Sequence, residues 1–567
     1  MEARPIRNRS YDVLWLMLWG VLSSLWCLTA ATRLSGTFDE PFYLEAGLES
    51  WHTGSNHRLM RAGTMPLPVD VQTLPLYLWE RCRGEPFNAE ADFGRLLPVA
   101  RAANLIFWWL LLIYGWRLGN LFGGDWGGRL SVALLAVEPN LLAHASLATT
   151  DIPVTACLLA LIYHFHAGRG GGWLRRVGVP SLWFGVALSA KASALTFGPL
   201  CMIALELHRL WQEGRLRAEG CRGIVNRLRL WWTATRELRR DLYWIIPLGL
   251  VFVFAYCGCD WKPQKSFVAW ADKLPEGSLK ESMTWLSRNL RIFPNAGEAI
   301  VYQIKHNVRG HGVYLFGDWQ ARAVWYYFPS ALLLKLTIPV LTLLLLALSI
   351  NWRSLFTPIG AAVLALLFFS LNCRVQIGIR LMLPLVSLLI VSLAVALSQI
   401  PPPRWSSRTQ AVAAAGVLLA ALVPAVTVWP AGLSFFNRLW GGPEAGFRYL
   451  SDSNYDWGQG LYELAAWQEQ HPERPVYVWY FGADPRVKRH PYHLLKLHDL
   501  PLHSAADAEG LLRGKYLAVG ASLRYGNPAL TEAGGYALQA LKQREPFART
   551  STFFIYDFSE PPSTAAP

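Results

Sequence analysis

The chain has 567 residues, 53% of them hydrophobic, 13% aromatic and 16% charged, with 27 Trp and a formal net charge of +14. That is too apolar for an ordinary soluble enzyme and too aromatic for a disordered or fibrous protein. The Arg residues cluster at the ends of apolar runs, as membrane topology requires and nucleic-acid binding does not, and the eight Cys have neither disulfide-scaffold nor zinc-ligand spacing.

At the N-terminus, Arg4, Arg7 and Arg9 precede an apolar run at 11–32 that lacks a small-residue cleavage site. This predicts an uncleaved first membrane helix with its basic start in the cytoplasm. A polar stretch at 33–96 follows, and a run at 97–121 returns the chain to the side of Arg117 and Arg129, which places 33–96 outside. Segments 129–169 and 176–209 are each longer than one helix, are basic at both ends, and are polar in the middle. The first carries His144, Ser146, Thr149, Thr150 and Asp151 there, the second Ser189, Lys191 and Ser193. Each reads as a helical hairpin with its tip outside.

Between 208 and 241 nine Arg, including Arg217 and Arg222, face Glu213, Glu219, Glu237 and Asp241 in the most basic loop of the chain, predicted cytoplasmic. Apolar runs at 242–257, 324–350, 355–371, 381–397 and 410–429, with Arg353, Arg404 and Arg408 in the inner loops, bring the total to eleven crossings. An odd number leaves the C-terminus outside. The tail then turns polar and alternating, with strands predicted at 476–481, 516–519 and 552–556, helices at 461–470 and 532–542, and a frayed end at 559–567. The predicted fold class is a polytopic α-helical membrane protein of about eleven transmembrane helices, residues 1–430. A small α/β extracytoplasmic domain, residues 431–567, completes it, and the expected location is the cell (inner) membrane with the N-terminus cytoplasmic.

Ionisable groups near a bilayer are costly unless used. Asp39 and Glu40 lie just past the first helix and can supply a general base, or cap a short surface helix that has Pro41 in its first turn. Asp151, before Ile152-Pro153, has the same two readings, and His144 seven residues earlier can face the same cavity or help hold a cation. Lys191, Lys335 and Arg380 can each hold an anionic phosphate; snorkelling to the headgroups is the favoured reading for Lys191 and Lys335, and Arg380 is the first choice as phosphate partner. In the tail, Asp452, Asn454, Asp456 and Glu463 match calcium-loop positions 1, 3, 5 and 12, but Trp457 stands where position 6 needs Gly, which favours an Asx-rich turn.

Taken in order, several phrases resemble bacterial members of glycosyltransferase family 39, of the GT-C class that includes dolichyl-phosphate-mannose protein mannosyltransferases. They are Thr37-Phe-Asp-Glu-Pro-Phe-Tyr-Leu-Glu-Ala-Gly47, His144 to Pro153, Gly185-Val-Ala-Leu-Ser-Ala-Lys-Ala-Ser-Ala-Leu195, His311-Gly-Val-Tyr-Leu-Phe-Gly-Asp318, Trp325-Tyr-Tyr-Phe-Pro329 with Lys335, and Gly378-Ile-Arg-Leu-Met-Leu-Pro384. The likeness covers roughly 11–400, with a further phrase at 452–459. It implies a GT-C fold, a polyprenyl-phosphate sugar donor, a glycan, lipid or protein acceptor on the outer (periplasmic) side, and inverting hexosyl or pentosyl transfer. It also implies that Asp39, with Glu40 beside it, and Asp151 are the catalytic acids, while Arg380, Lys191, His144 and His311 fall in or beside phrases expected to bind substrate. Metal is left open, a divalent cation being one alternative. The outer loop 258–323 is too short for the sugar-binding β-trefoil repeats of eukaryotic protein mannosyltransferases, so sugar and acceptor stay unnamed. The competing readings are a polytopic transporter and an oligosaccharide ligase or polymerase with a lipid-linked donor.

Overall fold

The computed structural model describes residues 9–216, 223–258, 261–263, 265–291, 294–399, 407–526 and 531–559. Arg4, Arg7, Arg217, Glu219, Arg222, Arg404 and the predicted frayed end beyond 559 lie outside the described residues.

The protein is a polytopic helical membrane protein with a small sheet domain at its C-terminal end. A helix stands at each of the eleven segments read as crossings. Ser10–Arg33, Phe93–Ala136, Arg236–Cys257, Ile338–Leu355 and Ile379–Ser398 are long and apolar enough to cross a membrane, and Asp151–Ala167, Pro358–Ser370 and Ala415–Val428 are shorter apolar helices. In hydrocarbon the backbone must satisfy its own hydrogen bonds, so uninterrupted apolar sequence becomes helix whatever its propensity. The first helix, Arg9–Arg33, turns Leu14, Leu18, Val21, Leu22 and Leu25 outward, as a lipid-facing helix must, and its other side packs on Phe93–Ala136.

Phe93–Ala136 is two antiparallel limbs that meet at Gly124, whose φ of 66° an L side chain rarely adopts. The limbs touch where a Cβ on Gly119 would lie 2.4 Å from the Gly127 carbonyl oxygen. The second limb runs on into Pro139–Ala145, and the chain turns back through Asp151–Ala167. The other predicted hairpin is Val179–Ala190 and Ala194–Gln212, broken at Lys191, whose backbone is extended. Leu383–Ser398 is buried along nearly its whole length against Phe93–Ala136, Pro358–Ser370 and Asp151–Ala167, and it carries Arg380 on the turn before it.

One predicted run is corrected. The stretch 324–350 is not a single span: a short helix Tyr327–Lys335 ends, and a new one, Ile338–Asn351, starts. Thr337 Oγ1 accepts from the Val340 N–H, and Pro339, which has no N–H to give, sits in the first turn instead of breaking a helix interior. Lys335, predicted to snorkel, is 1% exposed. Its ammonium donates to the carbonyls of Leu433 (2.8 Å) and Asn454 (2.6 Å).

Outside the bundle, residues 33–96 form Glu40–Thr53, His57–Arg61 and Leu67–Arg83. The stretch 258–323 holds Lys265–Asp272, Ser278–Asn289, Pro294–Arg309 and a hairpin of β1 (Val313–Leu315) and β2 (Asp318–Gln320). In the tail, β3 (Val476–Trp479), β4 (His493–Leu494), β5 (Tyr516–Gly520), β6 (Ala548–Arg549) and β7 (Phe553–Asp557) form a sheet in the order β4-β3-β5-β7-β6. Strands β4, β3 and β5 are parallel, and β7 is antiparallel to both β5 and β6. Alternation puts Val476, Val478, Ala518 and Ile555 on one face with Leu461 and Leu464 of the helix Leu461–Gln470. Trp479, Leu517, Val519 and Tyr556 lie on the other with Leu538 and Leu541 of Glu532–Lys542. The three predicted strands and both predicted helices stand where expected; the two-residue strands β4 and β6 and the helix Ala505–Leu512 were not foreseen.

Lys335 thus ties the bundle to the tail at two carbonyls. Lys335→Met keeps a long apolar side chain and leaves both acceptors without their donor. The expected cost is about 2 kcal/mol or more, measured as a lowered thermal midpoint of the full chain in detergent, with faster proteolysis of the tail.

Candidate active site

The chain leaves the first helix through residues 34–39, and one buried cation holds that turn. Arg101, 1% exposed within the long helix, uses all five of its N–H groups. Nη1 donates to the carbonyls of Ala31 (2.7 Å) and Leu34 (2.8 Å), Nη2 to that of Ser35 (2.8 Å). Nε and Nη2 reach the two oxygens of Glu40 at 2.8 and 2.6 Å. Glu40 also accepts from the N–H groups of Thr37 and Ala148, both at 2.8 Å. Burial alone would raise this carboxyl, but the Arg101 charge and the N–H bonds outweigh it and hold the group below the usual carboxylate range.

This corrects the role expected of Glu40. Both its oxygens are occupied and fully buried, so it positions the turn and is not placed to exchange protons with a substrate. Asp39, the next residue back, stands at the N-cap of Glu40–Thr53 without making a side-chain cap bond. Its carboxylate turns to Arg380 instead, with Nη1 3.1 Å from Oδ2. Tyr43 Oη, one helical turn on, donates to the same oxygen at 3.5 Å.

Arg380 also lies 3.9 Å from Asp151 Oδ2, and Asp151 Oδ1 is 2.5 Å from Lys191 Nζ. Asp151 is the first residue of its helix, but its carboxylate serves these cations and not the helix N–H groups. Snorkelling therefore fails for Lys191 as it does for Lys335: the ammonium folds back over a carboxylate with no exposed surface. Asp39, Arg380, Asp151 and Lys191 form a chain of alternating charge drawn from four segments far apart in sequence. The Arg380 Nε and Asp151 Oδ2 make no hydrogen bond among the described residues.

The tail supplies the other wall. The Arg380 guanidinium lies 4.1 Å from the Trp457 ring centroid. Asn454 Oδ1 accepts from the Ile379 N–H at 2.9 Å, and Ser453 Oγ donates to the Ile377 carbonyl. A Cβ on Gly378, at φ 152°, would stand 2.2 Å from that hydroxyl, so the close approach needs glycine. Asp452 places a further negative charge toward Arg380; burial pushes its carboxyl up to about 6 although the guanidinium pulls the other way. The residues at calcium-loop spacing in this motif take separate partners. Asp456 accepts from the Gly458 and Ser522 N–H groups, Glu463 accepts from Ser551, and Asn454 faces the bundle, so these ligands point apart.

His144 is buried within reach of the charges of Asp151, Arg380 and Lys191, 6.2 Å from Trp457 between ring centroids, with Nδ1 unpartnered among the described residues. His311 stands apart, 2.9 Å from His306 between Nε2 atoms, on a cavity of about 120 Å³ that it shares with Asp452, Tyr327 and Gln376. Among the described residues no group of three or more His, Cys, Asp or Glu is placed to hold a metal ion. Sequence reasoning missed Arg101, Tyr43 and Trp457. A charge inside the apolar run 97–121, which holds Arg101 and Arg117, is itself a signal for the first, while the ring of Trp457 is brought in by tertiary packing alone.

No family model matches the chain, and no curated protein does. Among solved structures the chain is similar to ArnT from Cupriavidus metallidurans bound to undecaprenyl phosphate, at 14% identity over 98% of this chain and 99% of that one, TM-score 0.46. It is similar to the apo state of the same protein over 96% and 97%, at 14% identity and TM-score 0.46. It is also similar to the Archaeoglobus fulgidus oligosaccharyltransferase tethered with an acceptor peptide, at 9% identity over 96% of this chain and 74% of that one, TM-score 0.43.

The Arg101–Glu40 pair is testable apart from any activity. Arg101→Met leaves a buried carboxylate unpaired and should cost about 3–5 kcal/mol. The double variant Arg101→Met/Glu40→Leu should recover part of that in thermal unfolding of the detergent-solubilised chain. Because the folded Glu40 value is lowered, its contribution is complete above the unfolded value of ~4.3 and is lost as pH falls through the folded value. Glu40→Gln should therefore flatten the acid limb of the stability profile.

Proposed function

We propose that the protein is a glycosyltransferase that moves a sugar from a polyprenyl-phosphate donor to an acceptor hydroxyl at the outer face of the cell membrane, with inversion. The observation that carries this reading is the charge chain Asp39–Arg380–Asp151–Lys191 at the ends of the membrane helices, closed over by the tail. Transfer from a lipid phosphate needs a base for the acceptor, cations for the departing phosphate, and a position where the phosphate stays at the interface while its chain lies in lipid. Asp39 is the base, and Arg380 with Lys191 receives the phosphate.

The acceptor oxygen attacks the anomeric carbon as its proton passes to Asp39. The bond from that carbon to the phosphate oxygen breaks, its electron pair leaves with the polyprenyl phosphate, and one displacement inverts the centre. The Arg380 hydrogen bond to Asp39 aims that carboxylate. As charge develops on the leaving phosphate, the guanidinium and the Lys191 ammonium stabilise it. Asp151 holds both cations at the right spacing. His144 and His311 belong to the walls, and whether the sugar is a hexose or a pentose is set by those walls and not by the charge chain. In this reading residues 1–430 form the GT-C membrane module, 431–567 form its extracytoplasmic cover, and the N-terminus is cytoplasmic.

Incubating purified protein with a labelled polyprenyl-phosphate monosaccharide tests the reaction; no donor consumption with any acceptor fraction would end the reading. Asp39→Asn keeps size and a hydrogen bond to Arg380 but takes no proton, so transfer should fall about 10²-fold or more with donor binding retained. Arg380→Lys replaces two fixed donors by a point charge and should lose about 1–3 kcal/mol, roughly five- to hundredfold. Arg380→Ala should lose more, in kcat as well as KM. A reporter fused after Ser559 should be active only outside the cytoplasm; cytoplasmic activity would reverse the orientation.

A further inference from the structure

A second cavity, of about 950 Å³, runs between the helix Glu40–Thr53 and the loop that follows β3. It is at the upper end of ligand pockets, which span about 300–1,000 Å³. Its lining includes Phe38 and Pro41, so the backbone segment that carries Asp39 forms part of its wall, while the Asp39 carboxylate itself turns to Arg380. We infer that this groove binds the acceptor, and that the acceptor presents an oligosaccharide to it. The inference rests on the transferase reading above.

Three observations carry it. The first is Phe38, which is 48% exposed although its backbone is pinned, its N–H donating to the Trp457 carbonyl at 2.9 Å. Its ring stacks on Phe481 at 5.6 Å between centroids, which leaves one aromatic face open beside Asp39. A sugar ring offers polarised C–H groups to such a face, as aromatic edges do. The same Trp457 that fixes Phe38 underlies Arg380, so one residue sets the spacing between the sugar platform and the phosphate cation.

The second observation is the charge on the walls. Glu45 and Glu49 are bound by Arg58 at 2.9 and 2.7 Å, and Lys488 by Glu90 at 2.8 Å. The groove therefore offers many hydrogen-bonding groups whose charges are already matched. Hydroxyls can join such a network without bringing a charge, whereas an acyl chain would strip water from paired ions and return nothing. The third is construction: the outer helix makes one wall and the tail the other, with Gly36 N–H donating to Asp484 Oδ2 at 2.7 Å to join them. The groove exists only because the tail is docked on the bundle.

The test supplies the purified full chain and labelled polyprenyl-phosphate sugar with three fractions of the host envelope separately: protease-treated, delipidated glycan; the chloroform–methanol lipid extract; and delipidated protein. Label is expected in the glycan fraction; label only in lipid or only in protein overturns the inference. Ala483 is exposed on the tail wall, and Ala483→Trp should fill the groove and raise the KM for the glycan fraction tenfold or more. Phe38→Ala, which removes the platform without adding bulk, should raise it about fivefold. Binding of polyprenyl phosphate measures the folded fraction of each variant. Wild-type KM in both variants would place the acceptor elsewhere and leave the transferase reading standing. Failure of the wild type to consume donor at all would remove that reading, and this inference with it.

Discussion

Arg101 is a buried charge carried inside a long, mostly apolar helix, and the exit turn of the first helix is hung from it. Its guanidinium gathers the last carbonyls of the first helix and both oxygens of Glu40, converting a flexible exit turn into a fixed one. A cation at a helix C-terminus is favourable in itself, but the desolvation cost of a buried pair is large, and such a pair is weak evidence of stability. Its value lies in geometry. With Glu40 turned inward, the peptide between the two acids can present Asp39 only in the other direction, toward Arg380. The adjacency of the two carboxylates is thus a division of labour: one is spent on position so that the other stays available.

The second constraint is sharing. Arg380 faces Asp39, Asp151 and Asp452, and no one of these neutralises it alone. Three acids around one guanidinium, with Lys191 on the far side of Asp151, make a network in which no single contact carries the whole charge. An aromatic face beneath the planar guanidinium holds it in orientation.

The membrane part of this fold was legible in sequence because hydrocarbon removes choices: each apolar run between basic loops had to become a helix, and both hairpin tips were betrayed by polar residues at His144–Asp151 and at Lys191. The break at Thr337 was present in the letters as Thr-Ile-Pro, yet the hydrophobicity on both sides hid it. In the tail, Val476–Trp479 and Phe553–Asp557 alternate strongly enough to be recognised, while His493–Leu494 and Ala548–Arg549 are too short for any period to register. Within the site, Asp39, Asp151, Lys191 and Arg380 stood out as ionisable groups at the ends of apolar runs. Glu40 was misread because adjacency says nothing about which way each carboxylate turns, and the part played by Trp457 depends on contacts spanning most of the chain.

The segments that meet at Arg380 enter the molecule in a fixed order of synthesis: 35–43 first, 144–191 next, then 377–380, and 452–459 last. A ribosome feeding this chain into a membrane has inserted every helix before the indole that underlies the guanidinium is made. Until then Arg380 lacks its floor; the two carbonyls that Lys335 binds, of Leu433 and Asn454, come shortly before that indole, and the tail wall of the groove comes after it. Such long-range closure is slow and is completed only at the end of folding. Ion-pair assembly is therefore coupled to completion of the polypeptide, and a truncated or stalled chain holds helices in lipid with their charges only half met.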